Sequence, residues 1–282
     1  MRVRRPRIDY GQVRPHWAPI PEFAQHHNAA STIPVHVEPY LIKVLNMVRT
    51  KLDPSETELL EEIDIFNKQE SQHYRQHAAF NQALYKAGYT ELAEFEERLK
   101  SDLAEFLSKR SLKFNVAYSE GFESMGPPSA AVWFEKIDPF LVGADAEAVD
   151  LWKWHMAEEF EHRMVCHRVF HRMYSRSLLG RVWNGYFYRV YGFVFAVRHL
   201  GGYIDRVSRY LIEADRQGMT DEERAQSVKR HRLVMRAYRR VMLPRLALVL
   251  LPFYDPSRKR IPSDLEPFLR RFEPGGDRAL AS

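Results

Sequence analysis

Cysteine is almost missing from this chain. Cys166 is the only one in 282 residues, so no internal disulfide can form and a reducing, cytoplasmic setting is expected. Long apolar runs are missing too. The nearest, Gly185 to Leu200, is interrupted by Arg189 and Arg198, so no membrane-spanning helix is expected. The basic start MRVRRPRIDYG is followed by no apolar stretch, which argues against a secretory signal. No segment sustains a strand-like alternation of apolar and polar residues, and this points to an all-α fold.

Acidic residues are scarce in the second half. Residues 1–161 hold 18 Lys and Arg against 26 Asp and Glu, whereas residues 162–282 hold 24 against 11. The basic half is nearly all arginine, with Lys229 and Lys259 its only lysines. These arginines recur every three or four residues, as they do on the solvent faces of helices, and no nucleic-acid-binding motif accompanies them. No nucleic-acid partner is expected. A weak contact with a membrane surface or an acidic partner stays open, as does a homodimer.

What is present is helical punctuation in a chain long enough for one large domain. Five prolines in residues 1–34 suggest an extended arm. A first helix is expected from Val35 to Lys51. Asp53-Pro54-Ser55-Glu56 predicts the start of a second, ending at Gly88. The third runs from Thr90 to Gly126-Pro127-Pro128, with Ser111 as a candidate break. The fourth follows Gly143-Ala144-Asp145 and continues to Ser177. A fifth, rich in aromatics, spans Gly180 to Gln217. Thr220-Asp221-Glu222-Glu223 is a capping box for a sixth, which Pro244 should kink or end. A single domain results: arm 1–34, four-helix core 35–177, additional helices 178–251 and an irregular tail 252–282.

One motif occurs twice. Glu70-Ser71-Gln72-His73 and Glu159-Phe160-Glu161-His162 each place a carboxylate and an imidazole on one helical face. With one further glutamate from each of two other helices, this is how a four-helix bundle holds two metal ions. The expected ligands are Glu38, Glu70, His73, Glu120, Glu159 and His162, with His155 added because it lies four residues before Glu159 in the same stripe. Glu123, one turn beyond Glu120, is the main rival of that residue. His77 is expected behind the ligands or in the core, and His167 and His171 beyond the site. Cys166 is expected to be a small core residue, and Glu158 and Glu161 to point away from the stripe. No catalytic residue beyond the ligands is indicated.

Several of these residues also resemble those of a bacterial family labelled predicted metal-dependent hydrolases, within the ferritin-like superfamily. The resemblance rests on Ile33-Pro34-Val35-His36-Val37-Glu38, on Gln69-Glu70-x-x-His73-x-x-x-His77 with Asn81, on the small-residue helix leading to Glu120, and on Trp154-His155-x-x-Glu158-Glu159-x-Glu161-His162. The chain departs from the family at Gly121, where a histidine is frequent, and at Arg260-Ile261-Pro262, where a His-Pro pair is frequent. The spacing His155-x-x-x-Glu159-x-x-His162 is also similar to that of the di-iron aryl-amine N-oxygenases, typified by p-aminobenzoate N-oxygenase. The resemblance implies a ferritin-like bundle with two metal ions, iron first, while manganese or a mixed pair suits the same donors. The leading expectation is a di-iron oxygenase or oxidase that uses dioxygen, an electron donor and a small organic substrate. Its alternatives are a metal-dependent hydrolase with a two-metal-activated water and a non-enzymatic iron-binding protein.

Overall fold

The computed structural model describes residues 1–273, 275 and 276, and among these there is no strand. An arm of residues 1–20 leads into α1 (Pro21–Arg49), followed by α2 (Thr57–Lys86), α3 (Leu92–Lys109), α4 (Leu112–Glu123), α5 (Gly126–Glu135) and the single turn α6 (Asp138–Leu141). Then come α7 (Ala146–His162), α8 (Val165–Tyr174), α9 (Leu178–Val182), a π-helical stretch Trp183–Tyr188, α10 (Arg189–Asp215), α11 (Asp221–Ala247) and α12 (Leu265–Arg270). No described helix is long and apolar enough to cross a membrane.

Proline misleads at the first helix. The arm ends at residue 20, not 34, because Pro21 occupies the first turn, where no N–H is needed. Pro34 and Pro39 lie inside α1. An interior proline costs a helix about 3 kcal/mol, and the burial of Phe23, Ala29, Ile33, Val37 and Leu41 on α1 offsets it, at about 1.5–3 kcal/mol for each large side chain. Trp17 Nε1 donates to Asn28 Oδ1 (2.9 Å) and Asn28 Nδ2 to the Pro15 carbonyl (2.8 Å), which fastens the arm to the helix.

Other boundaries shift for similarly local reasons. Asp53 closes a turn by accepting from the Ser55 N–H (2.9 Å), and α2 starts after it, at Thr57. Gly88, with φ of 94°, ends that helix as expected. The long third helix is divided at Ser111, whose Oγ caps α4 by accepting from the Phe114 N–H (3.2 Å). Gly126-Pro127-Pro128 opens α5, since both prolines fit a first helical turn. The fourth expected helix is α7 plus α8, and the fifth is α9, the π-helical stretch and α10. Thr220 and Glu223 form the capping box of α11, and Pro244 lies inside that helix, close to its end. The tail contains α12, whose Leu265 and Leu269 are buried. Pro274 and residues 277–282 of that expected tail lie outside the described residues.

The helix α1 packs on α2 and α10, α4 on α8 and α10, α5 on α7, and α2 on α7 and α8. Between α4 and α10 the contact is backbone to backbone. A Cβ on Gly121 would lie 2.7 Å from the Phe193 Cα, and one on Gly192 would collide with the Ala117 carbonyl. One apolar cluster joins α1–α4, α8 and α10, and a second surrounds Trp17, Trp133, Trp152 and Trp154. Phe66 of the first lies edge-on to His162, and Trp154 of the second edge-on to His73.

Candidate metal centre

Four helices send charged side chains into that apolar interior. Glu38 comes from α1, Glu70 and His73 from α2, Glu123 from the last residue of α4, and His155, Glu159 and His162 from α7. All seven are buried. Glu159 Oε1 lies 3.1 Å from His155 Nε2, 3.6 Å from His162 Nε2 and 3.8 Å from His73 Nδ1. Glu38 Oε1 approaches His155 Nε2 (3.4 Å) and His73 Nδ1 (3.9 Å). Glu70 Oε1 approaches His162 Nε2 (3.0 Å) and His73 Nδ1 (3.6 Å), while Glu123 Oε2 lies 3.0 Å from His162 Nδ1. The donors form two groups, Glu38-His73-His155-Glu159 and Glu70-His73-Glu159-His162, and within each the ligand atoms lie within 4.8 Å of one another.

Glu120 does not join them. Its carboxylate accepts from His167 Nδ1 (3.0 Å) and Ser124 Oγ (3.2 Å), and Arg189 stands 3.8 Å away. Its rival Glu123 is the α4 glutamate that lies beside His162. The helix α4 runs antiparallel to α7 and α8 here, so one turn back along α4 moves the contact from His162 forward to His167. Helical spacing gave both glutamates the same face, and only axial depth separates them.

The electrostatics are those of anions crowded without enough cation. Burial, followed by the neighbouring carboxylates, pushes Glu38 and Glu123 well above the usual carboxylate range. Burial also raises Glu70. Burial acts on Glu159 in the same sense, but the charges of His162 and His155 outweigh it and hold Glu159 low. His162 is raised well above its ordinary value despite burial, because Glu159, Glu123 and Glu70 surround it. Both oxygens of Glu38, Glu70 and Glu123, the His73 Nδ1 and both His162 nitrogens are buried without a hydrogen-bond partner. Unpaired groups of this kind are costly in a dry interior unless a cation satisfies them.

Behind the donors lie two chains of hydrogen bonds that fix ring tautomers. Asn81 Nδ2 donates to the Ser31 carbonyl (3.0 Å), so its Oδ1 accepts from Ser31 Oγ (2.7 Å). Ser31 Oγ has then spent its proton and accepts from His77 Nδ1 (2.7 Å). Burial holds His77 well below its ordinary pKa, so its Nε2 is bare and accepts from His155 Nδ1 (2.6 Å). That leaves Nε2 as the His155 ring nitrogen that faces Glu159 (3.1 Å) and Glu38 (3.4 Å). On α2, His73 Nε2 donates to Glu158 Oε2 (3.1 Å), and its free Nδ1 faces the centre. Glu158 points away from the ligand stripe, as expected, and stands behind His73. It is fully buried and held by Arg4 of the arm (3.0 Å), which also bridges to Glu161 (2.9 Å). No helical period announces a partner that comes from a distant arm. Burial pushes the Glu158 carboxyl up to about 8, although Arg4 opposes the shift.

His167 and His171 stand outside the centre, in contact with each other. Cys166 is fully buried and burial raises its thiol, as suits a small core residue. The aromatics Trp183 and Phe187 of the expected fifth helix are exposed. A cavity of about 400 Å³ reaches His155 and Glu159 from the side of α10 and α11, and Trp133, Trp152, Met156 and Leu200 are among its walls.

Neither a curated protein nor a solved structure matches the chain. Residues 2–260 match the model of a family described as predicted metal-dependent hydrolase. That span takes in every residue of the buried Glu-His cluster, and the chain belongs to this family of predicted metal-dependent hydrolases.

Proposed function

We propose that Glu38, Glu70, His73, Glu123, His155, Glu159 and His162 hold two metal ions side by side. In this reading α1, α2, α4 and α7 form the ferritin-like four-helix core of a single domain. The observation that carries it is the set of buried carboxylate oxygens and ring nitrogens without hydrogen-bond partners on Glu38, Glu70, His73, Glu123 and His162, at two donor groups that take in every one of the seven except Glu123, which lies against His162. Charge supports it as well: four glutamates balance two divalent cations, and neutral imidazoles complete the shell. Glu159 belongs to both donor groups, and its Oε1 faces three histidines.

The family description favours hydrolysis. Two bound metals would supply an activated water and polarise an ester or phosphoryl oxygen. The chain itself supplies the approach. The cavity brings an organic, largely apolar substrate to His155 and Glu159, its indole walls keep bulk water out, and the bonds through His77 and Glu158 hold two imidazoles in their ligating tautomers.

A second reading, oxidation of the substrate with dioxygen at two iron ions, has its own support. His155 adds a third imidazole to the two that the Glu-x-x-His motifs supply, and the cavity that meets it is mostly apolar. Such a reaction requires an external electron donor. One experiment tests both readings: metal analysis of the purified protein, then assays with iron, manganese and zinc, with and without oxygen. Two metals per chain are expected. Ester or phosphate cleavage that persists with zinc under anaerobic conditions selects hydrolysis. Oxygen uptake with a new near-ultraviolet band after ferrous loading selects oxidation. Failure to bind two metals overturns both.

A further inference from the structure

Residues 162–204 contain seven arginines and not one acidic residue. This stretch also carries the largest apolar side chains exposed on α9 and the π-helical segment. Leu178 is 80% exposed, Leu179 73% and Trp183 64%, with Val182 and Phe187 about half exposed. A second segment lies against it. Arg189 Nη2 donates to the Val249 carbonyl (2.7 Å), and Pro252 shares a surface groove with Arg181 and Gly185. That segment adds Leu251 and Phe253, the latter 88% exposed. Three arginines of this region are engaged, Arg168 with Glu58 and Glu62, Arg172 with Glu56, and Arg189 with Glu120. Arg176 and Arg181, which flank the apolar side chains, have no ion pair among the described residues.

Exposed leucines and aromatics bordered by unpaired arginines are the composition of an interfacial segment, with apolar groups among acyl chains and guanidinium groups at the headgroups. We propose that this face, α9 with the π-helical stretch and residues 248–253, docks on an anionic lipid bilayer. Charge decides against a second copy of the chain as the occupant. A two-fold contact would set Arg176 and Arg181 against their own copies, while the acids that border the groove, Glu56 and Glu58, are already paired with Arg172 and Arg168. Anionic headgroups would neutralise Arg176 and Arg181. Leu243 and Leu246, which line the cavity to His155 and Glu159, precede Leu248 on the same run of chain, so an apolar substrate dissolved in the bilayer would have a short path to the centre.

Trp183 provides the test. The other four tryptophans, Trp17, Trp133, Trp152 and Trp154, are buried, so a spectral change on docking reports on Trp183. The full chain is mixed with vesicles of phosphatidylcholine containing about one-third phosphatidylserine, and with vesicles of phosphatidylcholine alone. Expected are sedimentation with the anionic vesicles, a blue shift of emission, quenching by brominated acyl chains and release as salt rises. Trp183→Phe should abolish the blue shift while sedimentation persists. The joint variant Leu179→Ala, Trp183→Ala, Phe187→Ala and Phe253→Ala should lower the bound fraction about tenfold or more, as should Arg176→Glu with Arg181→Glu, both with unchanged circular dichroism. Equal binding to the two vesicle types, or no loss in the apolar variant, overturns the proposal. So does a solution dimer that the apolar variant dissociates in the absence of any vesicle binding.

Discussion

At His155 a single proton decides whether a ring nitrogen can serve as a ligand. The chain Asn81–Ser31–His77–His155 points every hydrogen in one direction, occupies Nδ1 and turns Nε2 to the centre. Replacing His77 by Ala frees His155 to rotate or change tautomer. Metal affinity should fall about 10–100-fold, the usual cost of losing a partner behind a ligand, while the helical circular dichroism is retained. Chelator competition measures it, and unchanged affinity would show that the chain of bonds is only structural. The two glutamates of α4 offer a second contrast. Glu123→Gln should bind fewer than two metals, because it removes a charge facing His162. Glu120→Gln should still bind two, since its contacts are His167, Ser124 and Arg189. Metal content of the two purified variants separates them, and the reverse pattern would restore Glu120 as the ligand.

Helices meet here at distances that depend on what is absent from them. The helix α10 reaches α4 only because Gly121 and Gly192 carry no Cβ, and the collision awaiting one at Gly192 is with backbone, which cannot rotate away. Gly192→Ala should therefore destabilise the fold by about 1–3 kcal/mol, as overpacking does elsewhere. The intrinsic gain in helix propensity from the same change is at most about 1 kcal/mol. Urea unfolding would show the loss as a lower midpoint, and a stabilised variant would mean that α10 can shift freely. Gly121 is held by the same limit: any side chain there would enter the path of Phe193.

Over the whole molecule, acid stability should be governed partly by two buried histidines of α1. Burial, helped by neighbouring cationic groups, lowers His26 to about 4 and His27 to about 3. Both stay neutral when folded, whereas in the unfolded chain they bind protons below their ordinary value near 6.5. The unfolded state then holds more protons, so stability is complete above about pH 6.5 and is lost as pH falls toward 4 and 3. Each contributes a slope of about 1.4 kcal/mol per pH unit in that window. His27→Gln should flatten the decline between pH 6.5 and 4 by one such increment, as read from urea unfolding at a series of pH values. An unchanged slope would mean that His27 is protonated in the folded state.

The sequence by itself determined the helical class and most of the buried site. Periodicity and spacing are local quantities, and Glu70-x-x-His73 and His155-x-x-x-Glu159-x-x-His162 each lie within one rigid helix, where spacing fixes the face. The capping box at Thr220 and the left-handed turn at Gly88 were legible for the same reason. Only the tertiary structure chose Glu123 over Glu120, because relative depth between α4 and α7 depends on how two helices slide in packing. It also extended α1 through Pro34 and Pro39, where burial against α2 and α10 outweighs the lost hydrogen bonds. And it brought Arg4 from the arm to the buried Glu158, a contact across 154 residues of chain. Nothing in a helical period encodes such a meeting, since it is decided by where the arm lies over the assembled core.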